Sequence, residues 1–565
     1  MSKISRRKFL QGTALIGTSS LLLGNQSYSK IFFNDNFDLL IINGTIIDGL
    51  GNPSFKADIG IKNDRIVDIG NLVAATAKKV INADGLIVSP GFIDIHTHTD
   101  LGILTNPLGE SKIRQGVTLE VSGNCGSSFA PISLNNWEET ANHFNDKYGL
   151  VLKGNSMNDF LTMLESHSFS VNQATLLGLG TIRSLFVGLD DRKATADELL
   201  KMKNAVEASI KDGAVGAASG LEYTPGSFAD TDELIELCKA IPKEVGLYAT
   251  HMRNEDDYGE EAVDEAIKIA RDSGARLQMS HLKASGKSNW YKVESLLAKM
   301  DNAIAEGLEV HSDRYPYVAY HTGLANLFPL WSRDGGDNAF IERLNSENDI
   351  KKIKEYTEKK VNNLDGNWDG VVISGIGKAE LNDYKGMSIQ KVSEELNLEP
   401  FEAATYLIKE SGNSVSMVGF GMSEKSTEKI LSHPRVMIAS DAGAHAPYPP
   451  MNNKIAHPRA YGTFPRAIAK YVKERKICSL EEMIKKMTSM PADKILIKDR
   501  GRIAKNKIAD ITILDFNKIK DEATFVDSHN YPTGVPYVIV NGNVVIDKGE
   551  HTGNKPGKIL RSFTS

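Results

Sequence analysis

The chain has 565 residues, a formal net charge of −6, and 66 basic against 72 acidic residues. This balance of charge argues against a nucleic-acid-binding protein, because such proteins present a pronounced excess of basic residues. Three cysteines cannot form a disulfide framework, so a hydrophobic core must hold the fold together. The length is sufficient for two domains and an insertion.

Residues 1–29 have the features of an export signal. The sequence SRRKFL at residues 5–10 precedes a moderately apolar run at residues 14–24, and Ser-Tyr-Ser at residues 27–29 offers a cleavage site. This pattern predicts a twin-arginine signal peptide and a periplasmic or secreted mature protein, with a basic tail on a cytoplasmic protein as the alternative. The apolar run is too short and too polar to span a bilayer, so we expect no membrane association after signal removal.

Short β-rich segments lie towards both ends of the chain. Residues 38–70 contain the runs DLLIINGTIIDG and DIGIKNDRIVDIG, with Asn-Gly, Asp-Gly and Asn-Asp turns that are typical of hairpins. Residues 509–514 (ADITIL) and 537–545 (YVIVNGNVV) have the same character. Neither cluster is large enough to be stable alone. We therefore predict one small β-sandwich domain built from residues 30–88 and 501–565.

The central part of the chain contains apolar runs that end in metal-binding side chains. FIDIHTH at residues 92–98 ends in His96 and His98, and their i, i+2 spacing places both imidazoles on one face of a strand. Four later apolar runs end in the same way, at Cys125, His251, His281 and Asp441. Of the three cysteines, only Cys125 lies in a glycine-flanked loop, Gly-Asn-Cys-Gly, where the backbone can bring a side chain close to a ligand.

Amphipathic stretches separate these runs, for example at residues 230–241 and 258–272. The alternation predicts parallel βαβ units. Chemistry at the carboxyl ends of several successive strands favours a (β/α)₈ barrel, which we place at residues 89–500. An open doubly wound sheet is the alternative, although its ligands would gather at a single switch point.

Residues from about 328 to about 433 are predicted to be an insertion into the barrel. They are rich in charge and in helical pattern, at residues 349–363 and 388–411, with a strand candidate at residues 371–373. An insertion after a barrel strand can cover the active-site face, or it can be purely structural.

Several phrases together resemble the N-acyl-D-amino-acid deacylase (D-aminoacylase) family of the amidohydrolase superfamily. They include SPGFIDIHTHTD, GVTLEVSGNCGSSFAP, MSHLKASGKSNW and HPRAYGTFPR, and they follow one order over nearly the whole mature chain. The His-x-His pair alone would indicate only the superfamily, whereas GNCG, SHLK and HPR-x-YGTFPR are specific to the branch. The resemblance implies a barrel with a small β-sandwich, in agreement with the strand pattern.

The same resemblance implies a zinc site and a second, weaker metal site. The tight site falls on Cys125, His251 and His281, and the weaker site falls on His96, His98 and Asp441, with the Cys125 thiolate able to bridge. A thiolate with two imidazoles suits Zn²⁺ and leaves a position open for water. Glu222 is a rival bridging residue or a residue of the pocket wall.

The implied reaction is hydrolysis of an N-acyl-D-amino acid to a carboxylate and a free D-amino acid. Zinc would activate water, and Asp441 would take the water proton and return it to the departing amine. An N-cap role is the alternative for Asp441. The expected partner is therefore a small molecule.

The resemblance places the substrate α-carboxylate on Lys283, Tyr315 and Arg459. Two positions depart from the family. Tyr320-His321 stands where small hydroxyl residues are usual, so the Tyr320 phenol either replaces a hydroxyl group or reshapes the pocket, and Leu179 replaces a histidine. His321 and His445 remain as pocket candidates. These departures keep a dipeptidase or a cyclic-amide hydrolase open as alternatives, together with an inactive metal-bound binding protein.

Overall fold

The computed structural model describes residues 36–562, so the signal peptide predicted at residues 1–29 lies outside the described residues. Within residues 36–562, no helix combines the length and the apolar character that crossing a bilayer requires.

The strands are numbered in chain order. They are β1 (Phe37–Ile46), β2 (Phe55–Lys62), β3 (Arg65–Gly70), β4 (Ala77–Asn82), β5 (Ile87–Pro90), β6 (Phe92–Asp94), β7 (Val117–Ser122), β8 (Asn172–Thr175), β9 (Leu177–Gly178), β10 (Ala217–Gly220), β11 (Leu247–His251), β12 (Arg276–Met279), β13 (Val310–Arg314), β14 (Tyr320–Gly323), β15 (Val371–Ile376), β16 (Val415–Gly419), β17 (Val436–Ile438), β18 (Ile511–Leu514), β19 (Tyr537–Val540), β20 (Asn543–Asp547) and β21 (Glu550–His551).

The α-helices are numbered in the same way. They are α1 (Gly102–Thr105), α2 (Glu110–Ile113), α3 (Trp137–Tyr148), α4 (Met157–Glu165), α5 (Leu179–Phe186), α6 (Ala196–Lys211), α7 (Thr231–Lys239), α8 (Gly259–Ser273), α9 (Val293–Ala305), α10 (Gly336–Asn345), α11 (Glu347–Asn362), α12 (Ile389–Leu396), α13 (Pro400–Glu410), α14 (Glu424–Ser432), α15 (Arg459–Arg466), α16 (Leu480–Met487) and α17 (Ser489–Lys494). A π-helical segment, Ala467–Glu474, continues α15.

Strands from both ends of the chain form one nine-stranded sheet. Its order is β21-β20-β19-β18-β5-β1-β2-β3, and β4 pairs with β1. The two halves join where β18 runs antiparallel to β5, with Ile511 opposite Pro90. Ile41, Ile59 and Ile539 belong to the hydrophobic core that this sheet encloses. The β domain built from both chain ends is therefore observed as predicted.

Eight parallel strand positions form a closed barrel. β6, β7 and β8 are paired in order, β9 directly continues β8 along the chain, and β9-β10-β11-β12-β13-β17 completes the set. Closure occurs between the residues that follow β6 and those that follow β17, where the Asp441 backbone amide donates to the His96 carbonyl oxygen at 2.9 Å. A closed barrel has no edge strand, so the (β/α)₈ prediction is confirmed and the open sheet is excluded.

The helices between the strands begin and end where their sequences indicate. α7 occupies the stretch predicted at residues 230–241, and the Asp230 side chain caps it by accepting from the Glu233 backbone amide. α8 occupies the stretch predicted at residues 258–272 and ends at Gly274, whose φ of 77° a glycine adopts without strain.

A subdomain lies between barrel strands β13 and β17. β14, β16 and β15 form a small antiparallel sheet, and helices α10 to α13 pack around it. Phe340, Ile373 and Leu407 belong to its own hydrophobic core. The sheet begins at Tyr320, eight residues before the start of the predicted insertion. Tyr320 from this sheet and Lys360 from α11 line the cavity at the carboxyl end of the barrel.

Candidate active site

Six side chains converge at the carboxyl end of the barrel. Each lies at the end of a barrel strand or just beyond it, and they are His96, His98, Cys125, His251, His281 and Asp441. Because parallel strands deliver their carboxyl ends to one rim, residues that are hundreds of positions apart in sequence meet here. The structure therefore brings together all six side chains that the sequence analysis assigned to metal binding.

Three of these residues have a left-handed backbone conformation that is unusual for residues other than glycine. The φ angles are 51° at Cys125, 36° at His281 and 51° at Asp441. Such conformations cost free energy and concentrate at functional sites, where the surrounding structure enforces them. A Cβ atom at Gly220 would collide with the Cys125 carbonyl group, so a glycine at this strand end allows the Cys125 loop to approach.

Cys125, His251 and His281 form a compact set of donor atoms. The Cys125 Sγ atom lies 3.8 Å from His251 Nδ1 and 3.6 Å from His281 Nε2, and the two nitrogens are 2.9 Å apart. Tetrahedral zinc, with bonds of about 2.0–2.3 Å, separates its ligand atoms by about 3.3–3.6 Å. One thiolate and two imidazoles suit zinc in their chemistry. The Cys125–His281 spacing falls in this range, the Cys125–His251 spacing is about 0.2 Å longer, and the two imidazole nitrogens would have to move apart by about 0.4 Å to hold the ion.

A second group of donors shares the Cys125 thiolate. The His96 Nε2 atom lies 3.3 Å from Cys125 Sγ and 3.4 Å from Asp441 Oδ1. His98 Nε2 lies 3.0 Å from the same Asp441 oxygen. The thiolate thus faces both groups, as a bridging ligand must.

Electrostatic interactions keep the thiol and the carboxyl group ionised. Burial opposes ionisation of Cys125, but the positive charge of His96 and hydrogen bonds from His251 and His281 lower its pKa well below the ordinary value. Burial also opposes ionisation of Asp441, and the positive charges of Arg459 and His96 outweigh it and lower the pKa of that carboxyl group. Both residues therefore present anionic donors at neutral pH.

Two buried carboxylates orient the histidines, and sequence reasoning missed both. Asp313 Oδ1 lies 3.2 Å from His96 Nδ1 and also accepts from the His281 backbone amide at 2.8 Å. Glu255 Oε1 lies 2.9 Å from His281 Nδ1. Partners of this kind fix the orientation of a ligating imidazole. Asp313 lies on β13 and Glu255 comes four residues after His251, and only the closed barrel brings these carboxylates to the His96 and His281 rings.

Glu222 lies on the outer side of His251. Its Oε2 atom is 3.5 Å from His251 Nε2, whereas His251 Nδ1 faces Cys125 and His281. Glu222 also accepts from Asn326 Nδ2 at 3.2 Å. The carboxylate therefore forms part of the cavity wall and does not lie between the two donor groups.

A cavity of about 910 Å³ opens above these donors. Arg459 and Tyr315 form one part of its wall. The Arg459 Nη1 atom lies 2.8 Å from Asp441 Oδ2, and the guanidinium covers the Tyr315 ring at 4.6 Å, while Arg314 covers the other side at 4.4 Å. The Tyr315 hydroxyl and Arg459 Nε are buried without a hydrogen-bond partner in the described part of the chain. Donors of this kind are available to a ligand.

The other two residues predicted to contact the substrate, Lys283 and Tyr320, have different surroundings. Lys283 lines the cavity but is only 3% exposed, and its Nζ atom already lies 2.5 Å from Glu255 Oε2 and 2.8 Å from His281 Nδ1. Tyr320 lines the cavity from β14, where its ring packs closely over Gly419. The Lys283 ammonium group is thus already in contact with Glu255 and His281, and Tyr320 forms part of the cavity wall.

His321 and His445 both line the cavity, as predicted. Burial lowers the pKa of His321 to about 3 and that of His445 to about 4, so both imidazoles are neutral. His321 Nε2 lies 2.9 Å from Ser374 Oγ on β15, which couples the cavity wall to the inserted sheet.

Comparison with known proteins assigns the family. Residues 423–546 match the model of the amidohydrolase family. The chain is 32% identical over 524 residues to the D-aminoacylase of Alcaligenes xylosoxydans xylosoxydans, which covers 93% of this chain and 97% of that protein. The chain belongs to the N-acyl-D-amino-acid deacylase family of the amidohydrolase superfamily. It is accordingly a hydrolase of linear amide bonds, and the family resemblance in its sequence is confirmed.

Other similar proteins agree with this assignment. The N-acyl-D-glutamate deacylase of the same organism is 32% identical over 536 residues, covering 94% of this chain and 98% of that protein. The crystal structure of N-acyl-D-glutamate deacylase from Bordetella bronchiseptica, complexed with zinc and a phosphonate inhibitor, superposes with a TM-score of 0.78 at 29% identity and covers 93% of this chain and 100% of that one. The family fold of a barrel with an additional β domain therefore applies to this chain.

Proposed function

We propose that this enzyme hydrolyses N-acyl-D-amino acids to a carboxylate and a free D-amino acid, with zinc as its metal. The observation that carries the proposal is the convergence of Cys125, His251 and His281 with Asp441 and Arg459 beneath one cavity. A cationic group beside the donor atoms suits an anionic substrate whose amide bond must lie next to the metal.

The donor set indicates which residues would hold metal ions. Cys125, His251 and His281 would hold the zinc, and His96, His98 and Asp441 would hold a second, weaker divalent ion with Cys125 facing both. When bound, zinc supplies Lewis-acid activation of a water molecule and of the scissile carbonyl group.

Asp441 is proposed as the residue that moves the proton. Arg459 holds its carboxylate in the ionised state, so the carboxylate can accept a proton from the attacking water. The amine is a poor leaving group as an anion, and the same carboxyl group returns the proton to it. The second Asp441 oxygen remains fixed by Arg459 during this exchange.

Arg459 and Tyr315 are proposed to bind the substrate α-carboxylate. The Arg459 Nε atom and the Tyr315 hydroxyl lack hydrogen-bond partners in the described residues, although both are buried. A carboxylate that enters the cavity would satisfy both donors. Lys283 would first have to leave Glu255, so it supports the site by orienting His281 and adds its charge to the same region.

A matched substrate panel tests this function. Purified protein with measured zinc content should hydrolyse N-acetyl-D-amino acids far faster than their L enantiomers, and faster than dipeptides or hydantoins. Faster turnover of the L enantiomers would contradict the stereochemical part of the proposal. Faster turnover of dipeptides or hydantoins would contradict the assignment of N-acyl-D-amino acids as the substrate class.

We further propose that the protein is exported by the twin-arginine route. The support is the sequence SRRKFL ahead of a moderately apolar run. In a bacterial host, the full chain should appear in a processed form outside the cytoplasm, and the double substitution Arg6→Lys and Arg7→Lys should retain it inside. Unchanged export of that variant would contradict the assigned route.

A further inference from the structure

A fully buried lysine lies directly beneath Asp441. Lys112 is on the short helix α2, its side chain is 0% exposed, and its Nζ atom donates three hydrogen bonds. The acceptors are Asp94 Oδ2 at 2.8 Å, Ser440 Oγ at 2.5 Å and the Ala442 carbonyl oxygen at 2.7 Å. Two of these three contacts are therefore made to the residues on either side of Asp441.

Asp94 also binds the loop formed by residues 440–442. While one of its oxygens accepts from Lys112, the other accepts from the Ser440 backbone amide at 2.9 Å. The Lys112–Asp94 pair thus fixes the amide and the hydroxyl of Ser440 and the carbonyl of Ala442. Asp441, between them, is bonded through its own amide to the His96 carbonyl oxygen.

The loop needs such a hold because Asp441 has a left-handed backbone. Its φ of 51° is a conformation that residues other than glycine avoid, and it persists only where neighbouring contacts enforce it. The loop beyond Asp441 is fixed as well, because the Ala444 amide donates to Thr99 Oγ1 at 3.0 Å. The strained residue is thus held on both sides by buried hydrogen bonds.

We propose that Lys112 is a positioning residue that holds Asp441 in the orientation required for proton transfer. The role rests on the proposed function of Asp441. Lys112 is fully buried and does not line the cavity, so it cannot touch a substrate. Its Nζ atom donates to Asp94, Ser440 and Ala442, and the buried Glu120 carboxylate lies 3.5 Å away. Its effect on the reaction must therefore pass through the backbone on either side of Asp441.

Lys112→Met keeps the length of the side chain and removes its charge and its hydrogen bonds. We expect kcat to fall by about 10–100-fold, because small displacements of a reacting group are costly, with bound zinc retained and KM little changed. The matched control is Lys486→Met. Lys486 is equally buried, and its Nζ atom bonds the Leu431 and His433 carbonyl oxygens at 2.6 Å, remote from the cavity. That control should keep the wild-type kcat.

A double-mutant cycle with Asp441→Asn separates positioning from general stabilisation. If Lys112 acts through Asp441, the substitution Asp441→Asn should cost at least tenfold less in the Lys112→Met background than in the wild type. Losses that simply multiply would overturn the positioning role while leaving Asp441 as the shuttle. A wild-type kcat for Asp441→Asn alone would overturn the role of Asp441 and the positioning role with it.

Ser440→Ala provides a second variant in case Lys112→Met fails to fold. It removes one of the three acceptors and leaves the Lys112–Asp94 ion pair in place. We expect a kcat about threefold to tenfold lower. The cost of Asp441→Asn should shrink by about the same factor in the Ser440→Ala background. An unchanged kcat for Ser440→Ala, or losses that multiply fully, would contradict the proposal.

Discussion

The charged side chains at the two ends of the barrel have different partners. At the carboxyl end, anions and imidazoles point at one another, as Cys125, His251 and His281 do. At the amino end, Lys494 and Arg276 donate to main-chain carbonyl groups and to the Glu309 carboxylate. Lys494 reaches Glu309, and Arg276 donates to the Lys494 carbonyl oxygen at 2.8 Å.

The backbone shows the same contrast. Left-handed residues just before the barrel strands at the amino end are glycines, such as Gly116 with a φ of 94° and Gly246 with a φ of 55°. At the carboxyl end, Gly123 and Gly126 are also left-handed, but so are the side-chain-bearing residues Cys125, His281 and Asp441. Strain is thus avoided where a side chain has only a structural role and is retained where its direction matters. Substitutions at the two ends should therefore separate function from stability.

The largest effect is expected at Cys125. Cys125→Ala removes a thiolate that faces both donor groups, so bound zinc should be lost, and kcat should fall by at least about 10³-fold because several kcal/mol of charge stabilisation disappear. The control is Cys238→Ala in α7, a buried thiol remote from the cavity, which should keep zinc and activity. Metal analysis and initial rates provide the check, and a Cys125→Ala enzyme with full zinc and full rate would contradict the ligand assignment.

The second-largest loss of activity is expected for Asp441→Asn. Without a proton acceptor, kcat should fall by about 10²–10⁴-fold, while zinc remains on Cys125, His251 and His281. Glu309→Gln removes a carboxylate at the amino end and should leave kcat unchanged. Steady-state kinetics on zinc-quantified protein measures both variants. Equal losses in the two variants would remove the distinction between the two ends of the barrel.

Arg459→Ala should act mainly on substrates that carry an α-carboxylate. Loss of a charge-assisted hydrogen bond in a buried cavity predicts a kcat/KM lower by about 30- to 1,000-fold. The kcat/KM for an N-acyl amine, which lacks that anion, should fall less. It should still fall, because Arg459→Ala also removes the contact between Arg459 and Asp441. Arg276→Ala at the amino end should lower thermal stability and spare kcat. An equal fall in kcat/KM for both substrates would show that Arg459 does not bind the substrate α-carboxylate.

The smallest effect concerns pH and Lys494. Burial lowers the pKa of Lys494 to about 7 from its ordinary value of 10.5. The unfolded chain therefore binds more protons between pH 7 and pH 10.5, and this group makes folding more favourable as pH rises through that window. Relative to Lys494→Met, the wild-type thermal midpoint should gain about 1–3 °C between pH 7 and pH 9.5. A constant difference across this range would show that Lys494 keeps an ordinary pKa.

Much of the fold was predictable because its signals are local. Apolar runs that end in His96, Cys125 or Asp441 mark barrel strands, and Asn-Gly turns mark the terminal hairpins. The start of the insertion was predicted too late. Its first strand, Tyr-His-Thr-Gly at residues 320–323, is only partly buried and has no apolar run, and it is a strand because it pairs with β16.

The site was only partly predictable because several of its contacts are distant in sequence. Lys112 meets Ser440 across 328 residues, and Asp313 meets His96 across 217. No local pattern distinguishes a buried lysine of this kind from a surface one, since only the closed barrel brings the partners together. Glu255 was missed for a similar reason, because its role depends on the direction of the His281 ring.

Removal and return of zinc test the central claim most directly. Chelated protein, freed of metal and confirmed to be folded, should lose the hydrolysis of N-acetyl-D-amino acids and should regain it in proportion to the zinc that it rebinds. Cys125→Ala, treated in parallel, should rebind little zinc and stay inactive. Full deacylase activity in metal-free wild-type protein would contradict the placement of the reaction at this centre.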